Sequence, residues 1–269
     1  MSAGGLRVER LSVALPMDGR PVPVVREVSF ALGPGETLGI VGESGSGKTM
    51  VALALTGLLP DEALASGAVS LGGRQLLGAP ERIWRKIRGR RIGIVFQEPM
   101  TALNPTMPVG AQVAEAMRLH LGLSASEAGA RSRALLRRVG MPRGEDWTAR
   151  YPHQLSGGQR QRVAIAIALS AGPEILIADE PTTALDVTLQ AQVLDLLADL
   201  VREEGLSLLL VSHDLAVVAE LCRRVAVLYA GQVVELGDTA EVLARPMHPY
   251  TAGLLACSPD VSAPRALRL

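Results

Sequence analysis

The chain of 269 residues carries 27 basic and 27 acidic side chains, so its net charge is +0, and 48% of its residues are hydrophobic. This length allows one large α/β domain or two modest ones, and the neutral charge excludes the basic surface that a nucleic-acid partner requires. Two cysteines are too few for a disulfide framework and suit a reducing cytosol. The sequence shows neither an apolar signal region nor an apolar run of roughly 18–20 residues, so we expect a protein that does not itself cross a membrane.

The N-terminal part of the chain, from Leu6 to Leu71, alternates strand-like segments with Gly and Pro turns. This pattern predicts an antiparallel β portion. Within it, residues 37–41 form a short apolar run that suits a buried parallel strand.

A glycine-rich segment follows this strand. Residues 42–49 fit the spacing G-x-x-x-x-G-K-[ST], and a helix-forming stretch follows and ends near Pro60. This order of strand, loop and helix predicts a phosphate-binding loop, in which backbone N–H groups and the helix N-terminus favour an anion. Lys48 is expected to reach the β- and γ-phosphates, and the Thr49 hydroxyl to bind Mg²⁺. The expected ATP-binding residues are Gly42, Glu43, Ser44, Gly45, Ser46, Gly47, Lys48, Thr49 and Met50.

The central part of the chain changes from strand to helix. An apolar strand over 92–96 precedes Gln97, and from about Met100 to Ala168 the pattern is helical and poor in strands. A second glycine-rich segment, 155–159, starts the last of these helices, and its N-terminus favours an anion. No second phosphate loop is present, so the two glycine-rich segments together predict a site built from two facing cassettes in two chains.

Two adjacent carboxylates, Asp179 and Glu180, end the apolar run that begins at residue 175. Ligands bind beyond the carboxyl ends of parallel strands, so this pair is expected beside the phosphate loop. Asp179 is predicted to hold Mg²⁺ through its water shell, and Glu180 to orient and deprotonate the attacking water. The alternative is a pair of solvated carboxylates that opens a loop.

The remaining elements continue the α/β alternation. Residues 188–204 predict a helix that ends at Gly205, and a strand over 208–211 precedes His213. Residues 225–234 predict a hairpin, and 238–241 fit a capping box that opens the last helix. The pattern predicts an α/β fold with a mainly parallel central sheet.

With these motifs in place, the chain resembles the nucleotide-binding subunit of an ATP-binding cassette (ABC) transporter from about Leu6 to Pro259. The resemblance implies a P-loop NTPase fold with a RecA-like core, an N-terminal antiparallel β subdomain and an inserted helical subdomain at about 100–168. It implies a nucleotide-binding domain over 1–245, followed by a short C-terminal segment over 246–269.

The resemblance also implies roles for residues that spacing alone leaves open. Gln97 matches the glutamine loop, which senses Mg²⁺ and the attacking water, and His213 matches the switch histidine that contacts the γ-phosphate. The expected catalytic residues are Glu180, His213, Gln97 and Lys48, and the expected metal site comprises Thr49, Gln97 and Asp179. The residues expected to contact ATP held by the other cassette are Leu155, Ser156, Gly157, Gly158, Gln159 and, in the D-loop, Asp186.

Finer markers resemble the dipeptide, oligopeptide and nickel importer group. These are residues 96–105, the run 151–154 before the signature, and the C-terminal His-Pro-Tyr-Thr segment over 248–251. The group implies two membrane permeases, a second and non-identical ATPase subunit, an extracytoplasmic solute-binding protein, and a peripheral position on the cytoplasmic face of the plasma (inner) membrane. The transported substrate, a peptide or a nickel or metal chelate, stays open. A second hypothesis is an ABC-type ATPase inside a soluble complex such as one for phosphonate breakdown.

Three further expectations concern single residues. No aromatic residue precedes Phe30, so the family's adenine-stacking residue is missing and Leu15, Pro16 or Met17 occupies its region, which predicts weak selectivity for adenine. Cys257 alone cannot supply four thiolates, so no iron–sulfur cluster is expected. Met100 and Leu103 either dock a permease helix or fill the core of the domain.

Overall fold

The computed structural model describes residues 5–97, 102–142, 144–183 and 186–257. These residues divide into two compact units, the first drawn from 1–80 and 207–269 and the second from 81–206. The strands are β1 (Leu6–Met17), β2 (Arg20–Leu32), β3 (Thr37–Val41), β4 (Leu64–Leu71), β5 (Arg74–Gln75), β6 (Ile92–Val95), β7 (Ile175–Asp179), β8 (Ser207–Ser212), β9 (Arg224–Tyr229) and β10 (Gln232–Asp238). The helices are α1 (Lys48–Thr56), α2 (Glu81–Ile87), α3 (Val109–Leu121), α4 (Ala125–Arg138), α5 (Gly157–Leu169), α6 (Val187–Glu204), α7 (Leu215–Leu221), α8 (Thr239–Ala244) and α9 (Pro249–Ala256).

The first unit contains the predicted antiparallel sheet, with the strand order β2-β1-β4-β5. Along β1, Leu6 and Val8 are buried whereas Arg7 and Glu9 are exposed, the alternation expected of a sheet with one solvated face. The antiparallel N-terminal portion predicted from the sequence is therefore confirmed.

The first unit also holds parallel strands that carry the candidate site. Strand β3 pairs in parallel with β8 and β9, and every residue of β3 and β8 is buried. Val41 lies opposite Ser212, so the segments that follow β3 and β8 leave the sheet at the same edge. The predicted hairpin is present as β9 and β10, and its turn residues Ala230 (φ 48°) and Gly231 (φ 83°) both have the positive φ of a tight two-residue hairpin.

The second unit pairs β6 with β7 in parallel, from Ile92 opposite Ile175 onward. Arg91 and Glu174, which directly precede these two strands, form two hydrogen bonds of 2.7 Å. Between β6 and β7, the described residues form helices α3 to α5 and two short 3-10 turns and no strand, as the helical pattern predicts. In the part of the chain that the structure describes, no helix combines the length and apolarity that crossing a bilayer demands.

Local capping signals set several helix boundaries. Helix α4 begins with a capping box of Ser124 and Glu127, and α6 ends at Gly205 in the left-handed conformation, where the sequence predicted the end of that helix. The prediction at 238–241 was wrong in two respects. Asp238 caps α8 through the N–H of Ala240 without a reciprocal box, and α8 is followed by α9.

Candidate functional site

The glycine-rich loop of the first unit closes around the ammonium group of Lys48. This side chain is 5% exposed, and its Nζ donates to the carbonyl oxygens of Gly42 at 2.7 Å and Glu43 at 2.9 Å. Lys48 is the first residue of α1, so the same backbone turn places the helix N–H groups and the ammonium at one point. This arrangement concentrates positive charge where the sequence predicted a phosphate group.

Two glycines make this loop geometry possible. A Cβ on Gly42 would lie 2.2 Å from the backbone oxygen of Leu228, and a Cβ on Gly47 would lie 2.6 Å from that of Val24. Gly47 also has a φ of 103°, which side-chain-bearing residues rarely adopt. The hairpin formed by β9 and β10 also contacts the loop, because the Gly231 N–H donates to the Ser46 carbonyl at 3.0 Å.

The predicted switch histidine lies at the same sheet edge as the loop. His213 is exposed and directly follows β8, whose last residue, Ser212, lies opposite Val41, the residue before the loop. Thr49 is exposed in the first turn of α1. In the first unit, the loop and His213 therefore directly follow two neighbouring parallel strands.

In the second unit, the structure brings Gln97 and Glu180 together. Asp179 ends β7 and is 3% exposed, and the next residue, Glu180, has an unusual φ of 46°. The Gln97 Nε2 donates to the Glu180 Oε2 at 3.0 Å, although 83 residues separate the two along the chain. Thr183 donates its hydroxyl to the same oxygen at 2.9 Å. Sequence reasoning missed Thr183, whose only signal is its position three residues after Glu180.

The second glycine-rich segment starts α5 with a reciprocal capping box. The Ser156 Oγ accepts from the Gln159 N–H at 3.3 Å, and the Gln159 side chain accepts from the Ser156 N–H at 2.9 Å. Because the Ser156 oxygen accepts this hydrogen bond through a lone pair, its hydroxyl proton can still be donated to another group. Ser156 and Gly157 are exposed, whereas Leu155 is 4% exposed. The helix begins at Gly157, within the segment 155–159 where the sequence predicted its start.

The start of α5 packs against the start of α6. A Cβ on Gly158 would lie 2.9 Å from Leu189, so a glycine permits this approach. Asp186 caps α6 by accepting from the Leu189 N–H at 2.9 Å. Ala184 and Leu185, the two residues before Asp186, lie outside the described residues, as does Met100. Leu103 is 4% exposed, which favours a role in the core of its unit over a docking role.

The described residues contain no group of three or more His, Cys, Asp or Glu side chains that could hold a metal ion alone. Mg²⁺ that is bound with a nucleotide takes only one or two carboxylates, together with phosphate oxygens and water. Thr49 in the first unit and Asp179 in the second unit each carry hard oxygen atoms of the kind that this ion prefers.

Comparison with known families gives two separate matches along the chain. Residues 25–183 match the family model described as ABC transporter. Residues 234–269 match the model described as oligopeptide/dipeptide transporter, C-terminal region. The first match includes both glycine-rich segments, and the second includes α8 and α9.

Similar proteins cover nearly the whole chain. The probable D,D-dipeptide transport ATP-binding protein DdpD of Escherichia coli (strain K12) is 47% identical over 97% of this chain and 80% of its own length. The oligopeptide transport ATP-binding protein OppD of the same organism is 46% identical over 96% of this chain and 77% of its own. Among solved structures, a dimeric ATP-binding cassette in a post-hydrolysis state with ADP and Pi has a TM-score of 0.78 and 29% identity, covering 87% of this chain and 98% of that one.

Proposed function

The chain belongs to the ABC transporter family, and from this premise we propose that it is the ATP-hydrolysing subunit of an importer of short peptides. Membership makes the chain an ATPase whose hydrolysis of ATP is coupled to transport. The observation that carries the substrate class is the match of residues 234–269 to the C-terminal region of oligopeptide and dipeptide transporters. The transport proteins for dipeptides and oligopeptides among the relatives support the same class.

In this proposal the phosphate loop binds ATP, and Lys48 shifts from its own loop carbonyls to the β- and γ-phosphates. Thr49, Gln97 and Asp179 would hold Mg²⁺, which would neutralise the charge that develops on the phosphate group. Glu180 orients and deprotonates the attacking water. The two hydrogen bonds on its Oε2, from Gln97 and Thr183, support this role because they hold the carboxylate in one orientation.

A second cassette completes the site. Ser156 and Gly157 are exposed at the start of α5, where the helix N-terminus and the Ser156 hydroxyl proton can approach a γ-phosphate held by another chain. Asp186, which caps the adjacent helix, belongs to the same face. The dimeric state of the solved cassette with ADP and Pi supports this arrangement. We propose a non-identical partner ATPase in this position.

The remaining partners follow from the importer proposal. Two membrane permeases would receive the movement of the cassettes, and an extracytoplasmic solute-binding protein would deliver the peptide. The chain would then act as a peripheral subunit on the cytoplasmic face of the plasma membrane.

Co-purification from native membranes tests the partners. Tagged chain is recovered in mild detergent, and its companions are identified by mass spectrometry. We expect two multi-spanning permeases and a second cassette, and uptake of a labelled dipeptide by vesicles that contain the complex. Recovery of soluble metabolic enzymes alone would refute the importer, and uptake of a nickel chelate without peptide uptake would refute the substrate class.

The Glu180→Gln variant tests the catalytic assignment. The variant keeps the hydrogen-bonding shape but lacks the base, so the complex should bind ATP, remain as a closed dimer and hydrolyse ATP at least about 100-fold more slowly. Glu241→Gln, which changes an exposed carboxylate on α8, is the matched control and should behave as wild type. Substantial hydrolysis by Glu180→Gln would show that another group activates the water.

A further inference from the structure

The segment after β10 is anchored to the first unit by a carboxylate. Glu235 accepts the backbone N–H groups of Met247 at 2.8 Å and His248 at 3.1 Å. His248 then caps α9, because its Nδ1 accepts from the Tyr250 N–H at 3.1 Å. Thr251 in the first turn of α9 is 0% exposed. These contacts fix the position of the start of α9 in the first unit.

From this position, Tyr250 contacts the phosphate loop. Its hydroxyl oxygen accepts the backbone N–H of Glu43 at 3.0 Å, across 207 residues of chain. Its ring lies 4.3 Å from that of Tyr229, centre to centre, at the end of β9. Partial burial raises the pKa of Tyr250, so the phenol is neutral at physiological pH.

The peptide unit between Gly42 and Glu43 is therefore held from both sides. A trans peptide is planar, and its C=O and N–H point in opposite directions. The C=O, on Gly42, accepts from the Lys48 Nζ at 2.7 Å, and the N–H, on Glu43, donates to the Tyr250 hydroxyl. Rotation of this plane would break both contacts at once. Its orientation helps to place the Lys48 ammonium, together with the Glu43 carbonyl that the same ammonium contacts at 2.9 Å.

We propose that Tyr250 is a positioning residue for the nucleotide, since it orients the Gly42–Glu43 peptide and through it the phosphate loop and Lys48. In this proposal the C-terminal segment orders the phosphate loop of the first unit before ATP binds. The proposal rests on the proposed role of this loop and does not depend on the transported substrate.

The test compares two full-length variants that each lose one hydroxyl and keep the ring. Tyr250→Phe removes the acceptor for the Glu43 N–H. Tyr229→Phe is the matched control, because among the described residues the Tyr229 hydroxyl makes no hydrogen bond, although its ring packs against Tyr250. The affinity for ADP in Mg²⁺ buffer is measured by calorimetry, and amide hydrogen exchange of the loop is measured without nucleotide.

For Tyr250→Phe we expect an affinity for ADP about two- to tenfold weaker, the range for loss of one net hydrogen bond. Amide exchange at Glu43 should be faster, and the thermal midpoint of the nucleotide-free chain should match wild type, since water can replace the lost partner at this exposed N–H. Tyr229→Phe should match wild type in all three measurements.

Three results would overturn the proposal. Wild-type affinity and exchange in Tyr250→Phe would show that the hydroxyl does not order the loop. An equal loss in Tyr229→Phe would assign the effect to ring packing instead. A wild-type chain that does not bind ADP would refute the phosphate-loop assignment itself, and the role of Tyr250 with it.

Discussion

Replacement of Thr183 by valine removes one of the two described hydrogen bonds on the Glu180 carboxylate and keeps the branched shape of the side chain. The lost bond runs from the Thr183 hydroxyl to the Glu180 Oε2 at 2.9 Å and is partly buried. Hydrogen bonds to charged groups contribute about 1.5–3 kcal/mol. The Gln97 amide still donates to the same oxygen at 3.0 Å, so we take the lower value, about 1.5 kcal/mol.

This energy corresponds to a loss in kcat of about tenfold, if the hydroxyl holds Glu180 where it meets the attacking water. The KM for ATP should not change, because the contact lies on the carboxylate and not on a nucleotide-binding group. The assay is phosphate release by the complete complex at saturating ATP, with KM determined in parallel. Thr183→Ser restores the hydroxyl and should restore the rate.

The control is Thr239→Val, which removes a buried hydroxyl bond of 2.7 Å to the Cys222 carbonyl at the start of α8. It should lower the free energy of unfolding without a change in kcat. A wild-type kcat in Thr183→Val would refute the positioning argument. An equal loss in Thr183→Ser would show that the hydroxyl is not the cause.

Two further predictions concern the nucleotide base and pH. Since no aromatic residue precedes Phe30, the dissociation constants for ATP and GTP should be similar when measured by calorimetry, and a strong preference for ATP would contradict this. The Arg91 guanidinium donates to both oxygens of Glu174 and lowers the pKa of that carboxyl, so its pKa in the folded protein lies below its pKa in the unfolded chain. The ion pair therefore stabilises the fold fully at pH values above the unfolded pKa. Glu174→Gln should therefore lower the free energy of unfolding at neutral pH by up to about 1 kcal/mol, because solvent reaches the pair and screens it. In urea unfolding this difference should shrink below about pH 4.3 and vanish below the folded pKa, and a difference independent of pH would refute the assignment.

Much of the fold was predictable because its signals are local. The buried run 37–41, the glycine loop and α1 follow one another within 20 residues, and backbone geometry over that distance depends on glycine positions and helix capping. The same reason explains the correct prediction at Gly205, where one residue in the left-handed conformation ends the helix. It also explains the error at 238–241, since Asp238 caps α8 with or without a reciprocal partner.

The family and its ATPase activity were likewise predictable from motifs and their order, and both are confirmed. The roles of the individual site residues remain predictions. The motifs name Gln97, Glu180 and His213 one at a time, and the resemblance assigns each of them a task.

Only the tertiary structure decided which side chains meet. Gln97 and Glu180 are 83 residues apart, and Glu43 and Tyr250 are 207 apart. Such pairs depend on which strands are neighbours and on where the segments after them are anchored, and no short stretch of sequence encodes either. Thr183 was missed although its contact lies within three residues, since Glu180 there has a positive φ that its residue type does not predict. The sequence by itself thus determined the family and the local backbone of the glycine-rich loop, whereas packing between distant segments decided how side chains such as Glu180 and Tyr250 are held.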